Sequence, residues 1–389
     1  MTFSITEIKE DLAGIGHGTN TDKVTNLNGL IERAGRQVLS KIDPAETIRK
    51  EDTTLYDQVY DYSAPSDLKK NKVLDLRPQV SRDEKDNLSQ TLSEEFDLRK
   101  EEARFHVQQE SGTKTIRISK AITPAGVTIH QFNDTTSNGT WAVGDDATNL
   151  TQDKNIKVKG SASLNFDLDG STTSGYIENS TMSQVDLSDH DEISSIFLWV
   201  YLPNASAITN VILRWGNDGS NYWSRTVTTP HNKSAFATGW NLLRFDWNGA
   251  TETGTVAPAT IDYSRVTITY DGTADTDFRV DQMWSTIGQP WEIWYYSKFM
   301  FRTSAGIWGE DISANTDLIN LDTDAYNILV NQSAYFMAQQ QQGENSAADV
   351  QFFFNELFGV GNEGGMYSDY QSVVPSETNK PTTTYYRIR

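Results

Sequence analysis

Residues 125–287 form a succession of short aromatic β segments, and that run restricts the fold more than any other feature of the chain. Segments 164–166, 176–177, 196–202, 211–215, 222–227, 240–245, 266–270 and 278–284 are strand-like in length and composition. Gly, Asn and Asp turns divide them at intervals of roughly ten residues. Seven of the ten Trp fall within this stretch. Strands of this number and spacing predict a two-sheet antiparallel sandwich rather than a barrel or a helical domain.

The flanks change period. Ile5, Ile8 and Leu12 make the stripe of a first helix, capped by Ser4 or Thr6 and ended by Gly14, Gly16 and Gly18. Val24, Leu27, Leu30, Ile31, Ala34, Val38, Leu39 and Ile42 recur at three- and four-residue spacing until Pro44. That pattern predicts a second helix of about five turns. Residues 55–80 read as a loop and a strand, and 105–107 with 115–119 as paired strands. A charged helix is expected over 82–104, where Leu88, Leu92 and Phe96 stand four apart. Two late helices follow, one from Thr323 or Asp324 into the glutamines at 339–342, the other over 347–358. The last 25 residues lack a helical stripe and end in Tyr385, Tyr386, Arg387 and Arg389 among their last five. That tail is either a disordered terminus or an arm that docks on a partner by strand pairing and ion pairs. The expected fold class is α+β multidomain. A helical frame comes from 1–124 and 288–365, an inserted antiparallel β-sandwich from 125–287, and an extended C-terminal arm from 366–389.

The charge is acidic, and unevenly so. The net value is −20, with 1–124 at −3, 125–290 at −10 and 291–389 at −7. No segment supplies the basic face that phosphate neutralisation needs, so DNA is expected to pass this surface without being held. With no cysteine in the chain, disulfides, Cys-bound zinc and thiol nucleophiles are excluded. The first residues have neither a basic region nor an apolar core, and no apolar run approaches the roughly 20 residues that span a bilayer. A soluble protein with no membrane partner is expected. A mean hydropathy of −0.55 suits long polar loops or a core completed against other subunits.

Patterns that carry catalysis are missing. Five His stand at 17, 106, 130, 190 and 231, no two at helical metal-ligand spacing, and neither HExxH, GxSxG nor GxxxxGK[ST] occurs. The carboxylates at 186, 189, 191 and 192 show no spacing that singles out a glycosidase pair, and turn formation explains the run 186–189. The chain is expected not to be an enzyme. Two candidate sites remain. Asp281 sits inside an apolar final strand, where an ionised carboxylate needs a partner. It is either hydrogen-bonded or a ligand, with Asn133 or Asp134, of a structural calcium ion. Trp215, Tyr222 and Trp223 flank the turn at 216–221; they either pack in the core or form a platform for sugar rings.

Two families share local features with the chain. Residues 125–287 resemble jelly-roll carbohydrate-binding modules and their laminin-G-like relatives. The matching elements are Phe132-Asn133-Asp134 with Trp141, Gly160-Ser161-Ala162-Ser163-Leu164, Val185-Asp186-Leu187-Ser188, Gly239-Trp240-Asn241 and Val280-Asp281. This resemblance implies a structural calcium on Asp281 and Asp134. The flanks resemble head-to-tail adaptor (neck) proteins of tailed bacteriophages. The features are a short first helix, a long second one over 27–42, the element Asp61-Tyr62-Ser63-Ala64-Pro65-Ser66-Asp67-Leu68, a late helix over 325–342 and an extended C-terminal arm.

The second resemblance implies a non-enzymatic virion protein, assembled in the host cytoplasm. It would form a homo-oligomeric ring at the portal vertex, 12-fold by the family pattern, between the portal protein and further neck or tail proteins. DNA would pass through its channel unbound, and the arm tipped by Arg387 and Arg389 would dock on a neighbouring ring. The alternative is a carbohydrate-binding or adhesion component, such as a tail fibre or a capsid decoration.

Overall fold

The computed structural model describes residues 2–15, 21, 24–79, 88–89, 104–110, 113–119, 123–136, 138–340, 346–361 and 364–373. Alternation of apolar and polar side chains builds two facing sheets from its middle. The strands are β1 (Val127–His130), β2 (Trp141–Asp145), β3 (Ala147–Asp153), β4 (Ser163–Leu168), β5 (Ser174–Asn179) and β6 (Ser194–Leu202). They continue as β7 (Ile208–Asp218), β8 (Asn221–Val227), β9 (Gly239–Asp246), β10 (Thr251–Thr253), β11 (Tyr263–Tyr270) and β12 (Asp275–Ile287). The first sheet runs β3-β4-β12-β6-β9, with β1 paired along β12, and the second runs β10-β8-β7-β11-β5-β2. All these pairings are antiparallel. Every second residue faces between the sheets, where Leu198, Val200, Leu213, Trp215, Val266 and Val280 are fully buried. Each such side chain contributes about 1.5–3 kcal/mol.

The flanks hold more strand than a helical frame would. Their helices are α1 (Ile5–Gly14), α2 (Leu27–Lys41), α3 (Thr323–Gln340), α4 (Ser346–Phe358) and α5 (Met366–Val373). Ser4 caps α1 and Glu7 returns to the Ser4 N–H, so the two satisfy each other's orphan donors. Asn26 caps α2 by accepting the Gly29 N–H at 2.9 Å. The stripes of α1 and α2 meet α3 in a second core that includes Ile8, Ile31, Val38, Leu329 and Met337. Beside it lie three small sheets. One joins Ile48–Leu55, Gln289–Ser297, Leu68–Pro78 and Leu88–Ser89; another joins Asp61–Ser63, Thr113–Ile118 and Phe105–Glu110. The third joins Thr2–Ser4, Leu318–Asn320, Phe301–Arg302 and Trp308–Gly309.

Two expectations are corrected here. Leu88 and Ser89 pair with Leu76 and Asp75 as a strand, so sheet pairing overrides the four-residue spacing that suggested a helix. Met366–Val373 is a helix, not the start of an extended arm. Tyr367 donates to Gln332 at 2.9 Å and Tyr370 to Asp322 at 2.7 Å, which fastens the segment against α3. Residues 82–87 and 90–103, and the tail with Tyr385, Tyr386, Arg387 and Arg389, lie outside the described residues.

Sandwich and flank meet without a linker. Strand β12 ends at Ile287, and one residue later Gln289–Ser297 begins the flank sheet. A Cβ on the intervening Gly288 would stand 2.3 Å from Thr54 Cγ2 and 2.7 Å from Tyr56 Cε1, so the crossing needs glycine. The flank also closes the outer face of the first sheet. Phe197 and Trp284 stack at 5.3 Å within a third core shared with Leu55, Tyr56, Val59 and Tyr62. Trp284 Nε1 donates to Asp57 O at 3.0 Å, and Gly126 N to Asp57 Oδ2 at 2.8 Å.

Candidate functional site

Among the described residues the outer face of the second sheet has no such principal cover. The principal packing partners of β5, β7, β8 and β11 all lie within the sandwich. Strand parity decides what stands on this face. In β7, Val211, Leu213 and Trp215 are buried inward, while Ile212 and Arg214 alternate with them and are half-buried. In β11, Val266 and Ile268 go inward and Arg265 and Thr267 outward; β5 adds Tyr176 and Glu178. Register sets the neighbours: Glu178 stands opposite Arg265, and Arg265 opposite Arg214. Tyr176 lies opposite Gly144, and Tyr222 opposite Gly216.

The two arginines differ in how they are satisfied. Arg265 donates from Nε to Glu178 Oε2 at 2.7 Å and also from Nη2 to that oxygen, which takes the Tyr263 hydroxyl at 2.9 Å as well. The Arg265 guanidinium lies 4.0 Å from the centre of the Tyr176 ring. A Cβ on Gly144 would come within 2.2 Å of Tyr176 Cζ, so the glycine makes room for that ring. Burial, then the Glu178 carboxylate, pushes the Tyr263 hydroxyl up to about 12, which keeps it a neutral donor at physiological pH. Arg214 stacks 4.6 Å from the Tyr222 ring centre. Its Nε is shut off from water and has no acceptor, and it forms no ion pair among the described residues. Chemically, the face offers one guanidinium engaged by Glu178, a second without a carboxylate partner among the described residues, and tyrosine rings held by the strands. Guanidinium forks match a carboxylate or a pair of adjacent hydroxyls.

Of the three aromatics expected either to pack in the core or to form a platform, only Tyr222 belongs to this face. Trp215 is fully buried and Trp223 is 7% exposed. The two are register partners, and both pack on Trp247 in the core, at 5.5 and 4.9 Å. A surface role for these two is therefore corrected: β7 and β8 turn them inward and Tyr222, one residue away, outward. Tyr176, Glu178, Arg214 and Arg265 were missed. Their signal is in the sequence, as charged or tyrosine residues at one parity of strands whose other parity is apolar.

Asp281 and Asp134 are committed to different backbone segments. Asp281 Oδ2 accepts from Val158 N at 2.6 Å and Lys159 N at 2.9 Å, while Oδ1 is buried without a partner. Burial raises its pKa above the usual carboxylate range. Asp134 Oδ1 accepts from Thr136 N at 2.6 Å, within its own turn. Asn133 Oδ1 accepts from Ser161 N at 2.8 Å and Ala162 N at 3.3 Å. The 158–162 loop thus aims N–H donors at these oxygens, whereas calcium requires six to eight oxygen ligands. No group of three His, Asp or Glu that could hold a metal occurs among the described residues. The residues present do not fit a calcium ion. Of the histidines, His130 accepts the Phe132 N–H at 2.9 Å, and burial depresses it to about 4. His190 Nδ1 lies 2.9 Å from Ser285 Oγ, but Ser285 is fully buried.

No family model and no curated protein matches the chain. Solved structures of carbohydrate-binding modules are similar to it. The family 30 module of cellulosomal cellulase Cel9D-Cel44B of Clostridium thermocellum is 13% identical with a TM-score of 0.31, over 42% of this chain and 98% of that one. A structure described as a carbohydrate-binding module of the β-sandwich superfamily is 12% identical with a TM-score of 0.30, over 60% and 97%. The family 11 module from Clostridium thermocellum, in complex with a β-1,3-1,4-mixed-linked tetrasaccharide, is 16% identical with a TM-score of 0.28, over 43% and 98%.

Proposed function

We propose that this is a non-catalytic glycan-binding protein whose sandwich holds its ligand on the outer face of the second sheet. The observation that carries this reading is the juxtaposition of Tyr176, Glu178, Arg214, Tyr222 and Arg265 on an open face of fixed strands. A sugar presents apolar C–H patches and many hydroxyls; tyrosine rings and guanidinium forks answer both. Strand-borne side chains lose little freedom on binding, which favours affinity. Calorimetric titration of the full chain with a panel of soluble oligosaccharides tests it. At least one should bind, and Tyr176→Ala and Tyr222→Ala should each weaken binding about tenfold, a loss of about 1.4 kcal/mol. A panel with no binder sinks the reading.

A second reading draws on another surface. Phe352 and Phe354 on α4 are 40% and 41% exposed, and Val360 beyond it is 57% exposed. Apolar surface of this kind is covered in assemblies, which favours a self-assembling protein; a virion ring at the portal vertex, with the portal and further neck or tail proteins as neighbours, is the assembly proposed as this second reading. The mass in solution, alone and with a portal protein, separates the two: a ring supports the second reading, and a monomer in both conditions removes it.

A further inference from the structure

We infer that the open face takes an acidic glycan, one whose sugar units carry carboxylates, and that Arg214 receives the carboxylate. This rests on the glycan-binding reading above and adds the charge of the ligand to it. The chain has 53 acidic residues against 33 basic ones, so potential counter-ions are in surplus. Arg214 nevertheless has none among the described residues, and its Nε is desolvated without an acceptor. A buried donor left unpaired is destabilising, and so is a like charge directly opposite across two strands. Arg214 has both, because its partner in register is Arg265.

Glu178 does not relieve it. That carboxylate already accepts from Arg265 Nε, Arg265 Nη2 and the Tyr263 hydroxyl on one oxygen. Arg214 is therefore a positioned cation, set against Tyr222, with Nε enclosed but the residue only half-buried, so a ligand can reach the outer edge of its guanidinium. A neutral sugar supplies hydrogen bonds but no counter-charge. A carboxylate supplies both in the planar geometry that a guanidinium pairs with best.

The test is calorimetry on the full chain with three probes: tetragalacturonate, the carboxyl-reduced galactotetraose of the same linkage, and tetraglutamate. Wild type should bind tetragalacturonate at least tenfold more tightly than the reduced tetrasaccharide, and less tightly as sodium chloride rises from 0.05 to 0.5 M. Arg214→Met should abolish that preference, and Arg214→Lys should recover part of it, as a charge without the fork. The preference and its salt dependence are read on wild type, so they stand even where a variant folds poorly. Equal binding of the two tetrasaccharides, unchanged in Arg214→Met, overturns the acidic assignment and leaves the glycan-binding reading intact. Binding of neither sugar overturns both. Tetraglutamate binding as tightly as tetragalacturonate overturns the assignment to a glycan.

Discussion

The two outer faces of the sandwich share one strand geometry and carry opposite chemistry. On the first sheet the outward residues Phe197 and Trp284 are fully buried, because the flank's Tyr56, Val59 and Tyr62 pack over them. On the second sheet the outward residues Tyr176, Glu178, Arg214, Tyr222 and Arg265 are half-buried, and among the described residues the principal partners of their strands all lie within the sandwich. The inward residues are of one kind in both sheets: Leu198, Val200 and Phe245 against Leu213, Val266 and Ile268. Half of the alternation therefore makes the sandwich, and the other half decides what the sandwich meets. An apolar outward row is covered by the chain itself; a charged and aromatic row stays open to a ligand. The boundary is visible on the first sheet, where Trp199 packs toward the flank core while Arg279, held by Asp153 at 2.8 Å, lies 5.0 Å from the Tyr201 ring centre.

Trp284→Ala should break the closed face most severely. It removes a fully buried ring, its stack on Phe197 and its hydrogen bond to Asp57 O. A loss of about 3–5 kcal/mol is expected. Urea unfolding should then separate into two transitions, since the joint core couples flank to sandwich. A single transition with an unchanged midpoint would mean that the face is closed by something other than this packing.

Acid should open the same joint. His231 presents its ring edge-on to Tyr56, Tyr62 and Phe197 at 5.9, 6.2 and 5.3 Å, and its Nε2 has no partner. Burial first, then the Arg244 charge, depresses it to about 3, with Asp246 acting the other way. Because the folded pKa lies below the unfolded value of about 6.5, the unfolded chain takes the proton first as pH falls. The stability at stake is complete above about pH 6.5 and is lost progressively toward pH 3, at about 1.4 kcal/mol per unit. His231→Phe keeps a ring in place and should retain up to about 3 kcal/mol relative to wild type at pH 4, read by urea unfolding. Equal acid losses in the two proteins would place the sensitivity elsewhere. On the open face the corresponding change is smaller. Glu178→Ala leaves Arg265 and the Tyr263 hydroxyl without their acceptor; Arg265 is partly solvated but Tyr263 is buried, so a loss of about 1–2 kcal/mol is expected in a thermal melt.

These positions differ in how far the sequence announces them. The sandwich was legible, since two-residue alternation between Gly, Asn and Asp turns admits few other folds, and α1 to α4 followed from three- and four-residue spacing and caps. The direction of a given strand was not. Trp215 and Trp223 could face either way until the β7–β8 register paired them over Trp247. Leu88, with partners at four-residue spacing, looked helical, but the edge of Leu68–Pro78 was available to pair with it. Helix α5 has only eight residues, and Tyr367 and Tyr370 hold it by hydroxyls that no apolar stripe records. The Asp281 carboxylate was correctly seen to need partners, but its backbone donors come from residues more than 120 positions away. The open face was hidden for the same reason: Glu178, Arg214 and Arg265 belong to three strands, and only sheet order brings them together.

The smallest expected effect sharpens the comparison most. Arg214→Met takes an outward residue from the open face, as Trp284→Ala takes one from the closed face. Arg214 has no ion pair among the described residues to lose, and a methionine stem keeps an apolar contact with Tyr222. Removing the charge also relieves the like-charge opposition to Arg265. The two effects nearly cancel, so the stability of the full chain should stay within about 0.5 kcal/mol of wild type. The urea midpoint of wild type and variant, at equal slope, measures it. A loss above about 1 kcal/mol would mean that Arg214 braces the sheet, and the open face would then be a solvated version of the closed one. A midpoint that does not move leaves Arg214 without a structural reason to be there, and a cation unpaired among the described residues and held against Tyr222 is then best explained by what it binds.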